Sequence, residues 1–239
     1  MDYKYTGIIL GKKDVGEMDR IYTIYTLETG KIRVLAKSVR KANAKLAGFL
    51  ENLNLAEIFI AKNQGMGKIT GSIVENNFKN MRLNLEALMK ASRAVNLLDK
   101  IISQESKDEK LFFLLKSFLE ALDDCVKNKK EEKIDLLALG FIFKMFEEMG
   151  YKIEANCCCQ CGKHFSKNKN FFVFENGGIV CHECCEKISN KIAILDDSIK
   201  IIRIFYKNKI NSLLKLKVEQ KEINNLTVIS NLFFQWISS

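Results

Sequence analysis

Two C-x-x-C pairs, Cys158/Cys161 and Cys181/Cys184, are the residues whose types and spacing most directly imply chemistry. Each pair can turn two thiolates toward one point, and the 19 residues between them suit a short hairpin that brings both turns together. Four thiolates converging in this way make a closed tetrahedral site suited to Zn2+. A closed site has no open coordination position, so the role expected of the metal is structural rather than catalytic. Gly162 after the first pair and Gly177-Gly178 before the second supply the backbone freedom such turns need. Cys157, Cys159 and Cys185 flank the pairs, and His164 and His182 lie nearby, so the spacing alone leaves open a register that uses Cys159 or Cys185. The chain opens without a basic-then-apolar leader, so disulfides are not expected.

A second pattern concerns charge. Residues 31–45 hold six cations and no carboxylate: Lys31, Arg33, Lys37, Arg40, Lys41 and Lys45. Ile32, Val34 and Ala36 alternate with Lys31, Arg33, Leu35 and Lys37, so a strand here would bury the apolar set and turn most cations outward. A phosphate backbone needs such a track, because each neutralised phosphate releases a counterion. The plainer alternative is a solvated strand edge kept soluble by lysine. Tyr3, Tyr5, Tyr22, Tyr25 and Phe49 could stack on bases, although a place in the core is the commoner role for each of them.

The elements that must position these groups follow from periodicity. Short alternating runs at 5–10, 20–27, 31–37, 53–61 and 68–74, with glycine-containing turns at 28–30 and 63–67, predict five strands closing into an OB-fold barrel over residues 1–76. From residue 77 the period becomes helical, with helices expected at 79–104, 111–126, 134–149 (ended by Gly150), 196–207 and 218–237. The fold class expected is α+β: the barrel, then a helical domain over 77–239 interrupted by the zinc-ribbon hairpin at 157–185.

Composition sets outer bounds. The 239 residues carry a formal charge of +9 and are 47% hydrophobic, with no apolar run approaching the ~20 residues of a bilayer span. Residues 1–75 hold 12 basic and 8 acidic side chains, residues 76–156 are balanced, and residues 186–239 hold 9 and 5, so the excess lies at the two ends. Such a charge favours a polyanionic partner. The tail cations Lys200, Arg203, Lys207, Lys209, Lys215 and Lys217 are interrupted by acids. Gly65-Met66-Gly67-Lys68 is not a phosphate loop, because Ile69 stands where Ser or Thr is required. With two histidines, both in the hairpin, no nucleophile–base arrangement is supported, and an enzyme is not expected.

The order of these parts resembles the bacterial DNA repair protein RecO family. The carrying residues are Gly16-Glu17-Met18-Asp19-Arg20-Ile21, Thr29-Gly30-Lys31, Ala36-Lys37, Gly150-Tyr151, Cys158-x-x-Cys161-Gly162 and Gly177-Gly178-x-x-Cys181-x-x-Cys184. The resemblance implies zinc ligands Cys158, Cys161, Cys181 and Cys184. It implies DNA contacts at Lys31, Arg33, Lys37, Arg40, Lys41 and Lys45, with Lys12 and Lys13 added from the first loop. It also implies a non-enzymatic mediator of recombinational repair in the RecF pathway, cytoplasmic and nucleoid-associated. Such a protein binds single- and double-stranded DNA and anneals complementary strands. With RecR it loads RecA onto strands coated by the single-stranded-DNA-binding protein, whose C-terminal tail docks on the helical domain. The competing class is a zinc-ribbon RNA-binding or transcription-associated protein.

Overall fold

The computed structural model describes residues 2–41, 46–62, 65–167, 169–186 and 188–238. They divide into two compact units, Met1–Lys129 and Lys130–Ser239.

The first unit opens with five strands: β1 (Asp2–Val15), β2 (Asp19–Thr26), β3 (Gly30–Ala36), β4 (Leu55–Ala61) and β5 (Lys68–Asn76). They close a barrel in the order β1-β2-β3-β5-β4, the five-stranded Greek-key arrangement of an OB fold. Inward positions of alternating strands fill it: Ile9, Tyr22, Ile24, Val34, Ile58, Ile60 and Ile69 form one buried cluster. β1 is longer than the predicted 5–10. Its first half pairs with β4 and its second with β2, around a bulge between Ile9 and Gly11. The extension carries Lys12, Lys13 and Asp14, which are exposed, so no apolar pattern marks it. Closure between β3 and β5 is parallel and slight: its register is the single pair Leu35 and Lys68, with the Leu35 amide donating to the Gly67 carbonyl at 2.9 Å.

Three helices belong to the same unit: α1 (Lys79–Arg82), α2 (Leu85–Ile101) and α3 (Glu109–Lys127). The single helix expected at 79–104 is broken at Leu83-Asn84, because Asn84 caps α2 by accepting the Ala87 amide at 3.0 Å. Asp123 of α3 accepts from Asn80 and from the Met81 amide, fixing α1 against it. These helices are tied to the barrel by a buried lysine and by the Tyr25 hydroxyl, which donates to the Asp108 carbonyl at 3.2 Å. Compactness therefore does not change at residue 76, where the periodicity does.

The second unit is built on α4 (Ile134–Glu148), apolar around most of its surface and buried accordingly. It stops where glycine predicted: Gly150 has φ +84°, and the Tyr151 amide reaches back to the Phe146 carbonyl at 2.7 Å. After it come β6 (Asn170–Val173), β7 (Gly178–Cys181), the single turn α5 (His182–Cys185), β8 (Ile192–Ile194), α6 (Asp196–Lys207) and α7 (Gln220–Ile237). The sheet order is β7-β6-β8. Phe146 and Phe172 each meet Phe233 edge-on, at 5.2 and 5.6 Å between ring centroids, so the hairpin shares the aromatic core of the helices. No helix among the described residues is long and apolar enough to cross a membrane.

Candidate metal centre and nucleic-acid interface

The hairpin brings Cys158, Cys161, Cys181 and Cys184 together, their Sγ atoms all within 4.8 Å of one another. Turn chemistry makes this possible. The Gly162 amide donates to the Cys158 carbonyl at 2.9 Å, with Gly162 at φ +72°, which curls the first pair back on itself. The Cys159 amide donates to the Ile179 carbonyl at 3.0 Å, fastening that turn to β7. β7 then delivers Cys181, and α5 carries Cys184 one turn on. Gly178 allows the close approach: a Cβ there would lie 3.0 Å from the Glu154 backbone.

The four thiols fit a tetrahedral metal. Thiolates about 2.3 Å from a zinc ion stand about 3.8 Å apart, and Cys161 and Cys181 are 3.8 Å apart. Burial works against a charged Cys158, yet the amides of Cys181, Cys161 and Gln160 outweigh it and bring the thiol down to about 6. Burial instead pushes Cys159 up to about 11. Cys185 is buried in the apolar cluster with Val173 and Val180, and its thiol donates to the His182 carbonyl. The alternatives left open by spacing, Cys159 and Cys185, thus lie outside the converging set. These residues could hold one metal ion.

The cations divide into two groups. Arg33, Lys37, Lys41 and Lys13 are exposed and have no ion-pair partner among the described residues. Lys13 aligns with Ile21 and, across β2, with Leu35, which places it on the outer face that Arg33 shares. Lys12, one residue earlier, has the inward register of Tyr22 and Val34, and its ammonium meets Glu51 at 2.8 Å. Arg40 donates to the Gly16 carbonyl and stands 3.4 Å from Asp14, which also receives Arg20 at 2.6 Å. Hydrogen bonding to Arg20 holds the Asp14 carboxyl below its ordinary range.

Lys31 differs most from the outward placement that alternation predicts. It is 7% exposed, and its ammonium donates to the Asp99 carbonyl at 2.6 Å and pairs with the Asp99 carboxylate at 2.9 Å. The end of α2 and the segment after it cover that stretch of β3, where the Glu105 amide donates to the Lys31 carbonyl at 2.9 Å. Lys45 lies outside the described residues. Of the aromatic candidates, Tyr5, Tyr22 and Tyr25 are core, whereas Tyr3 and Phe49 are exposed.

Residues 1–78 match the family model for the N terminal of recombination protein O, and residues 82–237 match the model for its C terminal. The chain belongs to the RecO family. The DNA repair protein RecO of Dehalococcoides mccartyi strain 195 is 32% identical over 225 residues, covering 94% of this chain and 86% of that one. That of Desulforamulus reducens is 24% identical over 234 residues, covering 98% and 89%. That of Thermoanaerobacter sp. is 27% identical over 217 residues, covering 90% and 84%. The RecO models change over at 78–82, beside the onset of helical periodicity, whereas the compact units divide after Lys129. Sequence reading missed Asp99 as the partner that takes Lys31 out of the exposed set. It lies 68 positions away in the last turn of α2, where nothing in the pattern marks it. It also passed over Lys62, exposed and unpaired among the described residues, whose place beside the turn at 63–67 was the available signal.

Proposed function

We propose that this RecO-family chain is a non-enzymatic DNA repair protein whose barrel binds single- and double-stranded DNA and anneals complementary strands. It acts with RecR and with the C-terminal tail of the single-stranded-DNA-binding protein to place RecA on coated strands. The observation that carries the reading is the set of uncovered cations, Arg33, Lys37, Lys41 and Lys13, on the outer surface of a closed OB barrel in a chain of this family. Annealing needs no nucleophile. It needs a surface that offsets the repulsion of two phosphate backbones while leaving their bases free to pair. Lys12 and Arg40 lie at the border of that surface in exposed ion pairs, which are weak enough for a phosphate to displace. Lys31 instead fastens the barrel to α2. Zn2+ held by Cys158, Cys161, Cys181 and Cys184 supplies a rigid, non-catalytic brace for the hairpin.

The test is annealing of complementary oligonucleotides precoated with the single-stranded-DNA-binding protein, with and without RecR. The expected result is annealing well above the spontaneous rate, altered by RecR. A protein that binds RNA but leaves DNA annealing at the spontaneous rate would move the assignment to the zinc-ribbon RNA-binding class.

A further inference from the structure

The weak closure between β3 and β5 leaves an opening in the barrel wall. Along a strand, successive residues send their backbone N–H and C=O to opposite edges, so Lys31, Arg33 and Leu35 all address the β5 side. Lys31 is met there by Glu105 and Leu35 by Gly67, both at 2.9 Å. Arg33 stands between them, and no group among the described residues meets its N–H or C=O. Arg33 lines a cavity of about 280 Å3. Ile32, Val34, Ile60 and Met66 line it with apolar groups, and Lys62, Gln104 and Glu105 line it with polar ones.

We propose that this opening is a pocket for one unstacked base of single-stranded DNA. The proposal rests on the reading of the barrel as the DNA interface and gives that interface a means of telling single strands from duplex. The cavity is small beside the ~300–1,000 Å3 of ordinary ligand sites, which suits one flat ring system. The apolar lining takes the base faces. The Arg33 main chain offers a donor and an acceptor side by side, the pairing that base edges present, and Glu105 can accept from a base N–H such as that of thymine N3. Arg33 and Lys62 set two positive charges against that one carboxylate, so the opening favours a group tethered to phosphate. The track to Lys37 and Lys41 continues from it. An added peptide strand fits poorly, because it needs a row of free edge groups and β3 offers only Arg33. A paired base in duplex cannot enter without unstacking.

The experiment fills the opening from either lip. Gln104→Trp and Met66→Trp are compared with the unsubstituted chain for binding to oligo-dT, to the same oligomer with abasic residues, and to duplex of equal length, with melting curves to confirm folding. Excluding one base is expected to weaken oligo-dT binding by about tenfold in both folded variants. Duplex binding should stay unchanged, and the unsubstituted chain should hold the abasic oligomer about as weakly as the variants hold oligo-dT. Oligo-dT should also slow hydrogen exchange at the Arg33 amide. Undiminished oligo-dT binding in both variants, equal affinity for the abasic oligomer, or an Arg33 amide protected only by an extended peptide would overturn the pocket while leaving duplex binding intact. If the unsubstituted chain bound no DNA at all, the interface itself would fall.

Discussion

Lys31 and Arg33 sit two residues apart on the outer side of one strand, yet they have different tasks. Arg33 is exposed with no ion-pair partner among the described residues, and the Lys31 ammonium is spent on Asp99. Removing Lys31 should therefore be a stability change. Lys31→Met is expected to lower unfolding free energy by about 1–2 kcal/mol in urea titration, with DNA affinity altered less than twofold. A several-fold loss of DNA affinity at unchanged stability would place its ammonium on phosphate instead. Alternation read correctly that Val34 and Ala36 face the core. It could not see Asp99 or Asp14, because tertiary folding brings those carboxylates in from outside the cationic run.

At the scale of elements, the convergence of the four cysteines in the hairpin was the most legible part, since C-x-x-C spacing and turn glycines are local chemistry. The end of α4 at a glycine was equally legible, and α6 spans the predicted 196–207. β8 was not foreseen, because three residues are too few to show a period. The break between α1 and α2 was also missed: Met81, Leu85 and Leu88 keep an apparent helical stripe across a segment that the Asn84 cap interrupts. Phe172 packs against Phe233, and a zinc ion held by the four thiols, as proposed, would be a second brace. On that proposal, chelation should unfold the Cys turns locally. Hydrogen exchange is expected to speed up at the Cys159 and Cys181 amides while α4 keeps its protection, and metal analysis of the reduced protein should give about one zinc per chain. Exchange that stays slow at both amides after complete metal removal would show that the aromatic contacts suffice alone.

Across the whole chain, the charge of +9 has a location and not only a magnitude. The barrel displays cations that no carboxylate among the described residues covers, and the centre of the chain is balanced. If those barrel cations meet phosphate, the salt dependence of DNA binding reads that meeting directly. The measurement compares the unsubstituted chain with a variant in which Arg33, Lys37 and Lys41 are all alanine, by titrating a duplex oligomer across a range of salt concentrations. The log–log slope is expected to flatten by about two to three units, close to one for each phosphate left without its cation, with weaker binding at every salt concentration. A folded variant that kept the same slope and the same affinity would contradict the account.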